Sequence, residues 1–274
     1  MAETSFCFSS LTDLSPVETT RAALVLGHPG HELKVFGWTA AYRPRTFILT
    51  DGSGHGSTPR TSRSRSLLGG LEASVDSCFG NCSDRDVYAA ILNRDTSFFC
   101  DQTRRLVEAF LRDKINFVAG DALEGYNPTH DLCRWMINAA ITLAQRQSAL
   151  AIRNYEFLLT ESPTDADSRH STTCSHFQLD ERALRHKLQC ALTYEELAAE
   201  VEGALNRCGK NYFATECFRL VEQPFTTHPY RQPPQYESWA EQRVAAGYYP
   251  TVIRMEHVLA IMEAIRNFAE GPKA

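Results

Sequence analysis

Short uninterrupted apolar runs alternate along this chain with stretches whose apolar residues recur every three or four positions. Ala22–Gly27 (AALVLG) stops at His28-Pro29-Gly30 and predicts a strand buried on both faces, as in a parallel sheet covered by helices. From His31 to Ala41 the pattern turns helical, with Leu33, Phe36, Gly37 and Ala40 able to share a face. Thr46–Thr50 predicts a second strand, ended by the turn Asp51-Gly52-Ser53-Gly54. Ser57–Ser66 is polar and basic, which predicts an exposed loop before a helix around Leu67–Val75. Asp84–Leu92 and Thr103–Lys114 follow as helices, and Asn116–Gly120 (NFVAG) as another buried strand. After the turn Glu124–Pro128 comes a long helix over Thr129–Gln147, then a short strand at Phe157–Leu159.

Beyond this point the pattern loosens. Glu161–Gln178 is polar and turn-rich and predicts a mobile loop; helices are expected at Asp180–Gln189, Tyr194–Leu205 and Arg254–Phe268. Pro224–Tyr236 is extended and ordered by prolines. Strands alternating with helices indicate an α/β fold. The expected architecture is a Rossmann-like three-layer sandwich with a largely parallel sheet and a C-terminal extension over the ligand edge. In residue terms this divides the chain into an N-terminal extension (1–20), a core (21–178) and a helical extension (179–274) packed on the same domain.

Composition narrows the function classes. With 274 residues, 43% of them hydrophobic and 22% charged, the chain can bury a sizeable core. A net charge of −5 argues against a nucleic-acid partner, which calls for a basic face. No apolar stretch approaches the roughly 20 residues that cross a bilayer. Met1–Pro16 has an acid at position 3 and no basic segment ahead of an apolar run, so no secretion signal is expected. Nine scattered cysteines without CxxC spacing fit reduced thiols. The expectation is a cytoplasmic protein acting on a small molecule, alone or as a homo-oligomer.

Three polar turns fall at predicted strand ends: His28–Glu32, Asp51–Gly54 and Asp121–Asp131. In open α/β sheets ligands bind beyond the carboxyl ends of the strands, so neighbouring strands would bring these turns to one cleft. His28 and His31 span a strand-to-helix turn and can reach one ion, with His130 as a third ligand and a fourth position left open. HxxH spacing alone more often marks surface or capping histidines. Asp131 equally fits a helix N-terminal acid favoured by the dipole.

The order GHPGHE, LTDGSG, GYNPTHD resembles the PIG-L/LmbE-type family of zinc-dependent N-deacetylases, over roughly Ala22–Leu159. The C-terminal YESWAEQRVAAGYYPTVIR is similar to tails of some members. The resemblance implies a Rossmann-like fold, bound Zn2+ and an N-acetylated, amino-sugar-containing substrate. The family's first motif is HPDDE and its second HPDH. His28 matches the ligand His, His31 stands at the ligand Asp, and Glu32 matches the terminal Glu. Gly30 stands at the general base, and Asn127 replaces the acidic His, while His130 keeps the last ligand. The resemblance therefore implies a three-histidine site without the family's proton-transfer pair.

Three neutral imidazoles leave an ion its full charge, which acidifies water more strongly than a site with a carboxylate ligand. Imidazole suits zinc and other divalent transition ions. Candidate substitute carboxylates are Asp51, Glu32, Glu124 and Asp121, with Asp51 first because its turn ends the adjacent strand. Asp51 as a simple turn cap is the competing explanation. Asn127 can steady an oxyanion. Tyr126, Arg60 and Glu124 are candidate substrate contacts, Arg63 and Arg65 accompany Arg60, and His257, with Glu237 and Arg243, belongs to a segment that can close over the cleft. His170, Cys174 and His176 form a weaker metal candidate in the predicted loop. The leading expectation is a zinc-dependent amidohydrolase acting on an N-acylated amino sugar or sugar-decorated natural product. The alternatives are a metal-dependent rearrangement, addition or lyase enzyme, and a catalytically silent binding protein.

Overall fold

The computed structural model describes residues 7–9, 19–54, 58–76, 80–160, 174–226, 229–230 and 233–271. The apolar runs form the centre of a sheet. β2 (Ala22–Leu26) and β5 (Phe117–Asp121) are buried at every position and pair in parallel with each other. β3 (Arg45–Ile48) and β4 (Ser74–Val75) extend the parallel part on one side, and β6 (Arg153–Phe157) on the other. Three antiparallel strands complete the sheet: β1 (Cys7–Ser9), β7 (Cys174–Gln178) and β8 (Thr215–Leu220). The order across all eight is β1-β7-β8-β6-β5-β2-β3-β4.

Successive side chains of a strand point to opposite faces, so each buried strand feeds two cores. Ala23, Val25 and Val118 pack against α3 (Asp84–Leu92), α4 (Thr96–Arg112), α5 (Pro128–Gln147) and α9 (Met255–Glu270). Ala22, Leu24, Leu26 and Phe117 pack against α1 (Phe36–Tyr42), α2 (Thr61–Gly70) and α6 (Glu181–Thr193). This is an α/β sandwich of three layers. Each fully buried Val, Leu or Phe contributes about 1.5–3 kcal/mol, which explains why two-sided runs dominate the centre. Two further helices, α7 (Ala198–Cys208) and α8 (Gln235–Ala245), lie outside these cores except for the buried Tyr236.

The chain runs from β2 to β3 and β4, then returns through α3 and α4 to β5 on the other flank of β2. Such a reversal opens a crevice between the loops that leave the two strands.

Four local expectations are corrected. Helix α2 begins at Thr61 inside the segment read as a loop, because Ser64 is fully buried. Cys174–Gln178 is a strand, not part of a mobile loop. Residues 215–220, which carry no strand signal in the linear pattern, enter the sheet as β8. Both strands turn a polar residue inward, Ser175 and Glu216, which interrupts the apolar alternation that would mark them. Helix α8 occupies a region given no secondary structure by its pattern.

Candidate functional site

The crevice beside β2 and β5 is built from the turns leaving these two strands. His28 and His31 sit on the turn after β2, and His130 lies in the first turn of α5. Asn127 starts that helix: its side-chain Oδ1 accepts from the Thr129 N–H at 2.8 Å, and Pro128 occupies the first helical position, where a missing N–H costs nothing. The three imidazoles converge, with ring centroids 4.5 Å apart for His31–His130, 4.9 Å for His28–His130 and 5.6 Å for His28–His31.

The hydrogen bonds fix which nitrogens face the centre. The Thr50 hydroxyl donates its one proton to the Gly27 carbonyl at 3.1 Å, so at 2.7 Å it accepts from His28 Nδ1–H. Asp84 Oδ1 stands 3.0 Å from the same Nδ1. His31 Nδ1 lies 2.9 Å from Asp121 Oδ2 and 3.0 Å from Oδ1, and so donates to the fully buried carboxylate. Both rings thereby carry a proton on Nδ1 and turn Nε2 away from these partners, the orientation of a ligand histidine held by a second residue. Nε2 of His28 and both ring nitrogens of His130 are buried without a hydrogen-bond partner among the described residues. Burial, reinforced by His31 and His28, pushes the His130 pKa well below its ordinary value, so this ring is neutral.

Buried polar atoms without partners are costly and rare, and three neutral imidazoles suit a divalent transition ion. Among the described residues, however, no group of three or more His, Cys, Asp or Glu side chains is placed as it stands to hold a metal ion. The rings meet edge to face, and two of them carry nitrogens that nothing among the described residues satisfies.

A second layer holds this turn. Glu32 is completely buried and accepts from the Gly30 N–H at 2.8 Å; its other oxygen accepts from Ser64 Oγ, which lies 3.1 Å from Tyr194 Oη. Burial raises the Glu32 carboxyl against those hydrogen bonds. Gly30 has φ 105°, open to glycine and strained for other residues, and a Cβ there would stand 2.6 Å from Leu197 Cδ1. Gly27 is needed for close approach: its N–H donates to Asp121 Oδ2 at 2.7 Å, and a Cβ would crowd Asp121 and His130 at 3.2 Å.

The histidines lie on the wall of a cavity of about 820 Å³. Arg60, Tyr126 and Asn127 line it with them. Arg60 Nε donates to the Gly52 carbonyl at 2.6 Å. The Tyr126 ring is nearly parallel to His130 at 6.2 Å and meets Trp239 of α8 edge-on at 4.5 Å.

Other expected site residues stand elsewhere. Asp51 is absent from the cavity wall, and its carboxylate accepts from the Ser53 N–H at 2.9 Å, a turn cap. Glu124 accepts from the N–H groups of Leu159 and Thr160 at 2.8 and 3.0 Å and joins two loops. His257 accepts from the Arg254 N–H at 2.9 Å at the start of α9, away from the wall. Arg63 pairs with Glu195 and Glu196 on the surface. Asp131 accepts from the N–H groups of Glu124 and Gly125 and from Tyr230 Oη at 2.8 Å; burial lifts its pKa to about 7. Cys174 and His176 are on β7, and His170 lies outside the described residues.

Asp84 carries no signal in the linear pattern, yet it lines the cavity and touches His28. Burial pushes its carboxyl up, but the close contact with His28 Nδ1 and the Gly54 N–H outweigh that and hold it well below the usual carboxylate range. The isolated bridge between Thr50 and Cys82, together with the Ser83–Asp86 capping box, delivers this residue to the site.

No protein-family model matches the sequence, and no curated protein matches it. Solved structures share its fold. The conserved protein TT1542 of Thermus thermophilus is 18% identical with a TM-score of 0.51, covering 78% of this chain and 100% of that one. A deacetylase–bog complex from the teicoplanin biosynthesis pathway is 9% identical with a TM-score of 0.50, covering 76% and 100%. The A40926 pseudoaglycone deacetylase Dbv21 is 14% identical with a TM-score of 0.46, again covering 76% and 100%. At such identities the likeness is one of fold. No helix among the described residues is long and apolar enough to cross a membrane.

Proposed function

We propose that the chain is a zinc-dependent amidohydrolase that removes an acyl group from an N-acylated small molecule, such as an amino sugar or a sugar-decorated natural product. The observation that carries this reading is the convergence of His28, His31 and His130 on a large cavity, with buried ring nitrogens left unpartnered among the described residues. These three residues would hold the ion. A bound zinc ion supplies positive charge that polarises an amide carbonyl and acidifies water.

The remaining work falls to the protein. Asp121 and Thr50 act as positioning residues, holding Nδ1 of His31 and His28 so that Nε2 faces inward, with Asp84 3.0 Å from the same His28 nitrogen. Asn127 uses its Oδ1 to cap α5, which leaves its side-chain N–H groups to steady a developing oxyanion. Asp84 is the one carboxylate among the described residues that both lines the cavity and touches a cluster histidine. Proton relay is therefore assigned to Asp84 rather than to Asp51 or Glu32, whose carboxylates are engaged off the cavity wall. A solved deacetylase of the teicoplanin pathway has this fold, which supports the chemistry.

One observation favours a second reading, a metal-assisted rearrangement or lyase step. Position 30 has no side chain, and its φ of 105° strains any other residue there, with Leu197 Cδ1 2.6 Å from where a Cβ would stand. Both readings meet in one experiment: metal analysis of the purified chain and of His28→Ala and His130→Ala, followed by acetate assay on a panel of N-acetyl amino sugars. The expected result is about one zinc per unmodified chain, loss in both variants, and acetate release only from the loaded protein. A chain that stays empty after zinc loading and dialysis overturns the metalloenzyme reading; a loaded chain that releases no acetate moves the assignment to the second reaction type.

A further inference from the structure

The geometry points to an anion pocket around Lys34, so that the substrate carries a carboxylate or phosphate group in addition to its acylated nitrogen. This deepens the reading of the cavity as a substrate site and rests on it.

Lys34 lies three residues beyond His31 and lines the same cavity. Among the described residues its ammonium makes no hydrogen bond and no ion pair; its one close neighbour of note is the Tyr212 ring, with Nζ 5.7 Å from the centroid. Except for Glu200, which lines the same cavity, the neighbouring charges are committed elsewhere. Lys187 Nζ donates to Glu216 Oε1 at 2.9 Å and to the Lys34 carbonyl at 3.2 Å. Glu216 also accepts from the N–H groups of Gly37 and Trp38, both at 2.9 Å. Glu124 is taken by Leu159 and Thr160. Glu200 acts on Lys34 only through its field.

An ammonium drawn from water without a counterion is unfavourable. Burial and the neighbouring Lys187 pull the Lys34 pKa down to about 8, against the weaker fields of Glu124 and Glu200. An anion entering the cavity relieves both effects at once, and the charge-assisted hydrogen bond it forms is of the strong kind. Arg207 of α7 lines the same cavity. A neutral sugar gains no such term.

The test is calorimetric titration of the full chain with metal removed, so that neither turnover nor an anion on the ion contributes. The probes are N-acetylglucosamine, N-acetylmuramic acid, which adds a carboxylate, and N-acetylglucosamine 6-phosphate. At least one anionic probe is expected to bind about tenfold more tightly than the neutral sugar, and the stronger of the two identifies the anion. Lys34→Met should remove that advantage while leaving N-acetylglucosamine binding unchanged, and Lys34→Arg should keep it; Lys34→Gln serves if Lys34→Met does not fold. An unmodified chain that binds no anionic probe, or binds them no better than the neutral sugar, overturns the proposal, as does a preference that survives Lys34→Met. Zinc content measured separately keeps the two readings apart, because an unloaded histidine cluster sinks the metalloenzyme and leaves this titration standing.

Discussion

The two halves of the sheet are held by different means. The parallel half, β4-β3-β2-β5-β6, has two central strands buried at every position, and its carboxyl end carries the three histidines. The antiparallel half, β8-β7-β1, alternates buried and half-buried positions along β7 and much of β8, and turns Glu216 inward where an apolar residue would be expected. Apolar area holds the first half, with Arg134 as its polar clasp: 1% exposed, it donates to the Asp121 carbonyl at 2.6 Å, to Asn154 at 2.9 Å and to Asn138 and the Tyr155 carbonyl at 3.3 Å. A charge pair holds the second, where Lys187 and Glu216 tie α6 and β8 to the start of α1. The lesson is that the histidine-bearing turn after β2 is gripped from both sides, by Asp121 from the apolar half and by α1 from the charged one.

The contrast can be broken by substitution. The largest effect is expected from Arg134→Met, which strands several buried acceptors and should cost about 4 kcal/mol. Because Arg134 holds the backbone of Asp121, denaturant unfolding and zinc affinity should both fall; unchanged zinc affinity would separate the clasp from the site. Lys187→Met leaves Glu216 buried and uncompensated and should cost about 3 kcal/mol, with zinc affinity nearly unaltered. Adding Glu216→Gln should recover part of that loss, a coupling that a double-mutant cycle measures directly; simple additivity would show that the pair does not act as a unit. Ser64→Ala is the smallest, about 1–2 kcal/mol. It removes a donor from Glu32 and tests whether the link from the turn through α2 to Tyr194 joins the halves.

The same contrast separates what could be read from the sequence from what could not. AALVLG and NFVAG announce themselves because a strand buried on both faces has no polar position to confuse the pattern. His28, His31 and His130 were legible through the turns that end such strands, and the structure brings them together. β7 and β8 were not, since Ser175 and Glu216 point inward and the partners of Glu216, the α1 N–H groups and Lys187, are remote in sequence. Asp84 stayed hidden for a related reason: a helix-start acid beside a capping serine looks like any other, and only the parallel bridge of Thr50 with Cys82 reveals its target. Asp51 shows the opposite case. Being beside the right strand brought it near the cleft, but its own turn absorbed the carboxylate. His257 drew notice through its place in a family-like tail, and its Nδ1 accepts from Arg254 N–H at the start of α9.

The closed space at Gly30 constrains the order in which this protein can change. A carboxylate introduced at position 30 would meet Leu197 and a left-handed backbone before it could serve the cavity. Removing Leu197 first would open a hollow between α7 and the turn with no side chain to fill it. The left-handed backbone strains any side chain at position 30 whatever Leu197 does, so the two positions are expected to act together rather than independently. The missing side chain at position 30 is thus tied both to its own backbone and to a packing contact from the residue that starts a helix with no part in forming the histidine cluster.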